Sequence, residues 1–447
     1  MSSVTSSPPA FLEAPSTLRG LVRHLGPGFI ITASIVGSGE LIVTPKLGAS
    51  VGFSLLWFIV FGCAVKVFVQ IALARTAIAT GATTLQALDT LPGPRLRVSW
   101  VLWLWLFMFV SLVFQVGGIV GGIATVFAEA GIGGGAQVWA LPAGVSCALL
   151  LASGRYGPVE RYATVMVVLF TICAVISVAV LQWTPYAITG PQLASGLTFR
   201  LPETFTVAFA AFGVIGVGAS ELIYYPYWCV EKGYARHVGP PDGSAAWQAR
   251  ARAWLRVMKV DAGLSLVLYT SITVAFYLLG AAVLHARQMD VTNADMIHVL
   301  SLMFRESFGE WTLLVFLTGA FFVLYSTLFG ATAANARLLA DGASVFGVAR
   351  YADEEARRRV VRAASVGLSL GSTLVFLLWP QPVTLVLIGA TGQALMLPFL
   401  GWAAVLFNRR EQHHALHTSP WERLGLLVSA LLMGALGAYQ LYGLLGP

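Results

Sequence analysis

Two ten-residue segments each place a glutamate within a long apolar stretch. VGSGELIVTP, residues 36–45, contains Glu40, and VGASELIYYP, residues 217–226, contains Glu221. The segments share six of their ten residues, and the glutamates lie 181 positions apart (221 minus 40). A carboxylate at membrane depth costs about 2.5 to 3.5 kcal/mol on insertion scales. Both glutamates therefore need partners, such as a cation, a proton or hydrogen-bond donors.

Glycine and proline flank both glutamates. They are Gly37, Gly39 and Pro45 in the first segment, Gly218 and Pro226 in the second, and Gly216 directly before the second. Glycine and proline are poor helix formers, and each proline also removes a backbone donor. We therefore predict that each segment joins two half-helices through unwound backbone. Free carbonyls and helix ends at such a break can hold a substrate or an ion.

Three interpretations of Glu40 and Glu221 are open from the residues alone. The two carboxylates can be joint oxygen ligands of a cation, which is the favoured interpretation, or one of them can carry a proton. Alternatively, both are structural and accept hydrogen bonds from freed backbone amides of their own broken helix. The first interpretation predicts a metal site at Glu40 and Glu221. The predicted substrate site includes the residues of both breaks: Gly37, Ser38, Gly39, Glu40, Gly218, Ala219, Ser220 and Glu221.

Other polar residues in apolar sequence are candidates for coupling or for the substrate pathway. Lys66 can be the counter-ion of a glutamate or extend to the membrane surface, and we favour extension to the surface. Gln115 and Gln393 carry no charge, so hydrogen bonding between helices is their expected role. Asn335 and Arg337 could form an inner gate together with Asp341.

The aromatic residues that follow Glu221 allow a second kind of substrate. Tyr224 and Tyr225, with Tyr227 and Trp228, could line a pathway or form aromatic walls for an organic ammonium group. Packing is the more common role of such a cluster. A small organic cation is therefore the alternative to a metal ion.

Composition determines the class of protein. The 447 residues are 57% hydrophobic and 11% charged, and the mean hydropathy is +0.79. This balance is typical of a polytopic membrane protein embedded in a lipid bilayer. The net charge of +7 comes from arginines in short loops, which excludes nucleic acid as a partner. No Ser/His or paired-Asp motif indicates an enzyme, and no cofactor is predicted.

Eleven apolar spans are predicted. They lie near residues 26–47, 51–79, 98–127, 136–153, 159–182, 204–230, 254–284, 310–338, 361–379, 383–407 and 422–445. Basic residues fall in alternate loops, among them Arg95, Arg97, Arg155, Arg161, Arg409 and Arg410. By the positive-inside rule the N-terminus is cytoplasmic and the C-terminus outside, in an inner-membrane protein. Residues 1–20 are predicted to be a disordered cytosolic tail.

The repeated glutamate segment predicts the architecture. The copies lie in the first and sixth spans, so five spans separate their starts and they cross the membrane in opposite directions. This is typical of an inverted repeat. We therefore predict an all-α transmembrane domain over residues 21–447. It comprises two five-helix repeats at about 26–182 and 204–407, and an eleventh helix at about 422–445.

The residues around Glu40 resemble a known family. GPGFIITASIVGSGELIVTPKLGASVGFSLLW, residues 26–57, is similar to the first span and following loop of the Nramp family of divalent-metal transporters. GAS at Gly218–Ser220 and LPF at Leu397–Phe399 extend the resemblance to the sixth and tenth spans. It implies the LeuT-type fold of the amino acid, polyamine and organocation superfamily, alternating access and, as is usual there, proton coupling. Gln393 lies near the family's tenth-span glutamine.

The differences from the family fall on its substrate site. Gly37, Ser38, Gly39 and Glu40 replace the family's Asp-Pro-Gly-Asn, and the sixth-span Met-Pro-His is absent. The third span also lacks the family's buried acidic residues. Without the thioether, a hard ion such as magnesium or manganese is favoured over iron. The sequence thus predicts a monomeric secondary transporter of a cation, most readily a divalent metal, and less readily a channel.

Overall fold

The structure is a computed structural model. It describes residues 11–15, 17–37, 39–153, 157–200, 206–293, 295–412, 416 and 418–445. In this part, nine helices are long and apolar enough to span a membrane. The broken first span and the fifth span, Gly157–Val180, which overlaps the shorter apolar segment Val168–Trp183, bring the number to eleven (9 plus 2). The predicted number of spans is therefore confirmed.

The first span is broken next to Glu40, as predicted. Its first half-helix is Pro27–Ile35, and its second half begins with the π-helical turn Gly39–Val43 and continues as Thr44–Val51. Asp261, in the seventh span, accepts hydrogen bonds from the backbone N–H groups of Gly26 (3.0 Å) and Gly28 (2.6 Å). Because the first N–H groups of a helix have no partner within it, Asp261 fixes where the first half-helix begins.

The sixth span is broken in the corresponding place. Its halves are Thr206–Val214 and Ala219–Glu231. Between them Gly216 has φ +59°, and a Cβ atom there would lie 2.9 Å from the Cys63 sulfur. Glycine is the residue that tolerates both the left-handed backbone and this close approach. The predicted break in the sixth span is confirmed, and it falls before Glu221.

The remaining spans are unbroken helices. They are the second, Leu56–Thr80; third, Trp100–Glu129; fourth, Gly135–Ser153; seventh, Ala245–Leu279, extended by the π-helical turn Gly280–Leu284; eighth, Thr312–Val345; ninth, Glu354–Leu378; tenth, Pro382–Gln412; and eleventh, Pro420–Leu445. Spans one to five and six to ten form the two inverted repeats of a LeuT-type fold. Because five spans, an odd number, separate the starts of the two copies of the motif, the repeats cross the membrane in opposite directions.

Short elements connect the spans. The helical ones are Leu18–His24, Thr84–Asp89, Leu181–Trp183, Gly190–Ser195, Tyr234–Val238 and Met296–Phe308. One short antiparallel pair, Arg95–Leu96 with Val98–Ser99, precedes the third span, with Arg95 opposite Ser99. Elsewhere in the described ranges the regular structure is helical, in agreement with the predicted all-α class.

Small residues let the spans that surround the breaks pack closely. A Cβ atom on Gly213, in the sixth span, would lie 2.1 Å from the Ala390 carbonyl oxygen of the tenth span. A Cβ on Gly118, in the third span, would lie 2.6 Å from the Pro382 carbonyl oxygen. Backbone-to-backbone contacts of this kind are typical of membrane helices, where close packing drives association. The third, sixth and tenth spans are thereby fixed around one central region.

The structure describes part of the N-terminal segment. Residues 1–10 and 16 lie outside the described part, but a helix begins at Leu18. Before it, the Leu12 carbonyl accepts a hydrogen bond of 2.9 Å from the Trp254 indole, and the Arg250 guanidinium lies over the Phe11 ring at 4.4 Å. Leu12 and Phe11 thus contact the start of the seventh span, and residues 18–20 are helical. The disordered tail stays a prediction.

Candidate functional site

A small cavity lies beside the two breaks. It is lined by residues of the first, third, sixth, eighth and tenth spans. Gly39 and Val214, which lie at the ends of half-helices beside the two breaks, are among them. The polar lining side chains are Gln115, Ser220, Glu221, Tyr224, Thr327, Asn335 and Gln393. The cavity has room for about two water molecules. In this conformation it can therefore hold an ion with a little water, but not an amino acid.

Glu221 is the acidic side chain of this cavity. It lies in the first turn of the half-helix Ala219–Glu231, where the helix dipole favours a negative charge. The Ser220 hydroxyl lies 2.7 Å from the Glu221 carboxylate and 2.8 Å from the Gln393 side-chain oxygen. Since a hydroxyl carries one proton, it donates to one of these oxygens at a time.

Two glutamines extend the polar group from Glu221 towards the third span. The Gln393 side-chain oxygen accepts from the Ser220 backbone N–H at 2.9 Å, and its NH₂ group donates to the Gln115 side-chain oxygen at 2.9 Å. The expected role of both glutamines in bonding between helices is thus observed. Both also line the cavity, so the same oxygens lie within reach of a bound ion.

Gly218 makes the close packing around Glu221 possible. A Cβ atom at this position would lie 2.4 Å from a Glu221 carboxylate oxygen and 2.6 Å from the Gln393 side-chain oxygen. Ala219, the first residue of the half-helix, is fully buried. These two predicted site residues therefore shape the site through their small size and supply no side-chain ligand.

Glu40 does not line the cavity. Its carboxylate is fully buried and lies within hydrogen-bond distance of three donors: the Gly216 backbone N–H (3.2 Å) and the hydroxyls of Thr273 (2.8 Å) and Thr44 (2.8 Å). Each hydroxyl carries one proton and also lies near a carbonyl oxygen, of Tyr269 and Gly39 respectively, so it donates to one of its two acceptors at a time. The expectation that both glutamates face one cavity is wrong for this structure. The third interpretation describes Glu40 best, although the amide belongs to the break in the other span.

Lys66 is buried and does not extend to the membrane surface, which corrects the favoured expectation. Its ammonium donates to the carbonyl oxygens of Phe212 and Ile215, at the end of the half-helix Thr206–Val214. Among the ion pairs of the described residues, none joins Lys66 to Glu40 or Glu221. The lysine was misassigned because its carbonyl partners lie 146 and 149 positions away in the sequence.

Asn335 and Arg337 connect the eighth span to the second half of the sixth. The Tyr224 hydroxyl donates to the Asn335 side-chain oxygen at 2.9 Å. Arg337 lies 3.1 Å from the Glu231 carboxylate and over the Trp228 ring. These contacts lie on the side of Glu221 where the sixth span ends.

Asp341 adds a third contact to the same face. Its carboxylate accepts hydrogen bonds from the hydroxyls of Tyr227 and Thr83. Tyr225 donates instead to Asp261, at 2.9 Å. Tyr224 lines the central cavity, while Tyr224, Tyr227 and Trp228 line a second, smaller cavity together with Arg337. The aromatic cluster thus packs around an arginine beside the central cavity, in agreement with the favoured packing role.

The first break is described in part. Ser38 lies outside the described residues. A Cβ atom on Gly37 would lie 1.9 Å from the Thr327 hydroxyl of the eighth span, and Gly39 lines the cavity. Thr273 and Thr44 were missed by the sequence analysis. Threonine is common in membrane helices, so nothing in the sequence separates these two from the others.

The ligands available in the cavity are oxygen atoms. In the described ranges, no group of three or more His, Cys, Asp or Glu side chains is arranged to hold a metal ion. A tightly held structural metal needs several such ligands. One carboxylate with hydroxyl and amide oxygens is instead suited to a hard ion that keeps part of its water and is bound reversibly.

Comparisons with known proteins agree with this architecture. A family model described as natural resistance-associated macrophage protein-like, Nramp, matches residues 28–443. The divalent metal cation transporter MntH of Mycobacterium tuberculosis is 26% identical over 272 residues, which are 59% of this chain and 58% of that protein. MntH of Clostridium acetobutylicum is 26% identical over 87 residues, 20% of each chain. The chain therefore matches less than two thirds of the length of either relative.

A solved structure covers more of the chain. A point mutant of the manganese transporter of Eremococcus coleocola superposes with a TM-score of 0.67 at 15% identity. The match covers 97% of this chain and 90% of the other. At this identity the similarity establishes the fold, and the fold agrees with the two broken spans and the central cavity.

Proposed function

Because the chain belongs to the Nramp family, we propose that it is a secondary transporter that moves a divalent metal cation across a membrane by alternating access. The observation that carries the proposal is the position of Glu221, in the first turn of a half-helix and in a cavity of ion-sized dimensions. The names of the matched relatives, which describe divalent metal or manganese transporters, support the same substrate class.

The oxygen atoms of the cavity would bind the ion. Glu221 supplies the charge, and Ser220, Gln393 and Gln115 supply neutral oxygens around it. No sulfur or imidazole is among the lining side chains. A hard ion prefers this set, whereas thioether and imidazole would favour later transition metals. We therefore propose magnesium or manganese in preference to iron, with part of the hydration shell retained.

Glu40 has a different role in this proposal. With three donors on its carboxylate and no place in the cavity lining, it supports the break in the sixth span and does not bind the ion. Proton coupling stays a prediction. Glu221 is the acidic residue of the cavity lining, so a proton that competes with the metal would bind there.

Contacts at the two ends of the bundle would close the pathway alternately. At the end where the sixth span finishes, Tyr224–Asn335, Tyr227–Asp341 and Glu231–Arg337 join the sixth and eighth spans. At the opposite end, the Lys46 ammonium lies 2.7 Å from the Asp290 carboxylate. We propose that the first set is the cytoplasmic gate of an inner-membrane protein, with the N-terminus on that side. One chain supplies the whole cavity, so a monomer suffices.

Uptake into liposomes tests the proposal. Wild-type protein reconstituted into liposomes should take up Mn²⁺ or Mg²⁺ with saturation, and Glu221→Gln should abolish this uptake. Glu310→Gln is the matched control, because the Glu310 carboxylate is exposed and pairs with Arg305 far from the cavity. Equal uptake by wild type and Glu221→Gln, or no uptake of any divalent ion by wild type, would refute the proposal. Flux that does not saturate would indicate a channel.

A further inference from the structure

Lys66 has an unusual environment for a buried lysine. Its side chain is fully buried, and its ammonium donates to the Ile215 carbonyl at 2.7 Å and to the Phe212 carbonyl. The same nitrogen lies 4.5 Å from the centre of the Phe212 ring. A buried ammonium normally pairs with a carboxylate. Here its direct partners are two carbonyl dipoles and a ring face.

The two carbonyls belong to a helix end that attracts cations. The half-helix Thr206–Val214 ends at the break, where its last carbonyls have no partner within the helix. The aligned peptide dipoles also give this end about half a negative charge. In transporters with broken helices, unwound carbonyls and half-helix C-terminal ends bind the inorganic ion that is coupled to transport. Lys66 thus supplies a positive charge where such an ion would be bound.

Charged side chains bond to the backbone polar groups of the sixth-span break. The Lys66 ammonium donates to its free carbonyl oxygens, and the Glu40 carboxylate accepts from the backbone N–H of Gly216, the residue after Ile215. Every backbone polar group at membrane depth needs such a partner. The second span therefore supplies the cation of the sixth-span break, and the first span supplies the anion.

We propose that Lys66 is a tethered cation that occupies a monovalent-cation site at the sixth-span break. In the wild-type protein this site takes neither Na⁺ nor K⁺. Removal of the ammonium turns the break into a site that binds one of them, because carbonyl oxygens can replace the hydration shell of a monovalent ion. If Lys66 merely filled space, shortening its side chain would not make the stability of the protein depend on Na⁺ or K⁺.

Thermal unfolding of the purified protein tests this directly. The Tm is measured in NaCl, in KCl and in choline chloride of equal concentration, because choline is too large for the break. We expect one Tm for wild type and for Lys66→Arg in all three salts. Lys66→Ala should have a lower Tm in choline chloride, and Na⁺ or K⁺ should restore part of the loss. Gln70→Ala, one turn along the same helix and also fully buried, is the control and should show no dependence on the cation.

Two results would overturn the proposal. One is a Tm of Lys66→Ala that is the same in all three salts, and the other is a wild-type Tm that Na⁺ or K⁺ raises above its value in choline. If Lys66→Ala cannot be purified, Lys66→Ser takes its place, with the same expected dependence of the Tm on Na⁺ or K⁺.

Metal uptake gives a second readout, which rests on the proposed function. Lys66→Ala should lose roughly tenfold or more of the wild-type rate in choline, because a charge and two hydrogen bonds are lost at the break. Na⁺ or K⁺ should recover part of that rate. If wild type takes up no metal at all, the proposed function fails, whereas the dependence of the Tm on the cation still tests the role of Lys66.

Discussion

The Glu40 carboxylate, in the first span, accepts a hydrogen bond of 3.2 Å from the backbone N–H of Gly216, in the break of the sixth span. Two broken spans that start the two repeats are thereby joined directly. The hydroxyls of Thr273 and Thr44 complete the shell of donors around the same carboxylate. The two glutamates of the repeated segment thus have different surroundings, since Glu221 lies in the cavity and Glu40 lies behind it.

Glu40→Ala should destabilise the protein and leave metal binding largely intact. The substitution removes the acceptor of the buried Gly216 N–H, and an unsatisfied buried donor costs about 1–3 kcal/mol. The hydroxyls of Thr273 and Thr44 keep the carbonyl oxygens of Tyr269 and Gly39 as acceptors. Thermal unfolding should show a lower Tm for Glu40→Ala, while calorimetry should give a Kd for Mn²⁺ close to that of wild type. A stable Glu40→Ala protein that has lost Mn²⁺ binding would return Glu40 to the ion site.

Glu221→Gln should show the opposite behaviour. The amide keeps the size of the side chain but removes the charge, and interactions of a charged group are worth about 1.5–3 kcal/mol. We expect the Kd for Mn²⁺, measured by calorimetry, to rise by about 10- to 100-fold. The Tm should change little, because the glutamine fills the same space and its side-chain oxygen can still accept from Ser220. An unchanged Kd would contradict the assignment.

Gly218→Ala tests the close packing around Glu221. The added Cβ would lie 2.4 Å from the Glu221 carboxylate and 2.6 Å from the Gln393 oxygen, so both side chains must move. Mn²⁺ affinity should fall, and calorimetry measures the loss. The matched control is Gly263→Ala in the seventh span, where a Cβ meets nothing within 4 Å. Equal affinities of the two variants would show that the site does not depend on this packing.

Tyr227→Phe should weaken the contact between the sixth and eighth spans. The substitution removes the hydrogen bond to Asp341, which is worth about 1 kcal/mol. Opening at this end should then be about fivefold more frequent. The rate of alkylation of the buried Cys229, in the same half-helix, reports it. Tyr325→Phe loses a hydrogen bond to Ser146 instead and should leave the rate unchanged. Identical rates in both variants would exclude Tyr227 from the gate.

The sequence predicted the elements of the fold better than the orientation of their charged side chains. Apolar length and the repeated segment were sufficient for the spans and both breaks, and the resemblance of residues 26–57 predicted the Nramp family, which the family model confirms. These features depend on local composition and on the count of spans, which a single sequence displays. The presence of Glu221 in a cavity beside the breaks follows from the same repeat.

The hydrogen-bond partners of Glu40 and Lys66 could be identified only from the structure. Gly216 lies 176 positions from Glu40, and Ile215 lies 149 positions from Lys66. Each contact depends on how the first and second spans pack against the break in the sixth. The repeat suggested a symmetric pair of glutamates, but symmetry of the backbone does not extend to side chains. One glutamate is surrounded by donors, and the other lies in a cavity.

The central claim is that a divalent ion binds at Glu221. Anomalous diffraction from crystals of the wild-type protein grown with millimolar Mn²⁺ tests it most directly. We predict one strong anomalous peak inside the cavity, within about 2.0–2.6 Å of a Glu221 oxygen, with Ser220, Gln393 or water completing the shell. A peak at Glu40 and away from the cavity, or a cavity without a peak at this Mn²⁺ concentration, would contradict the account.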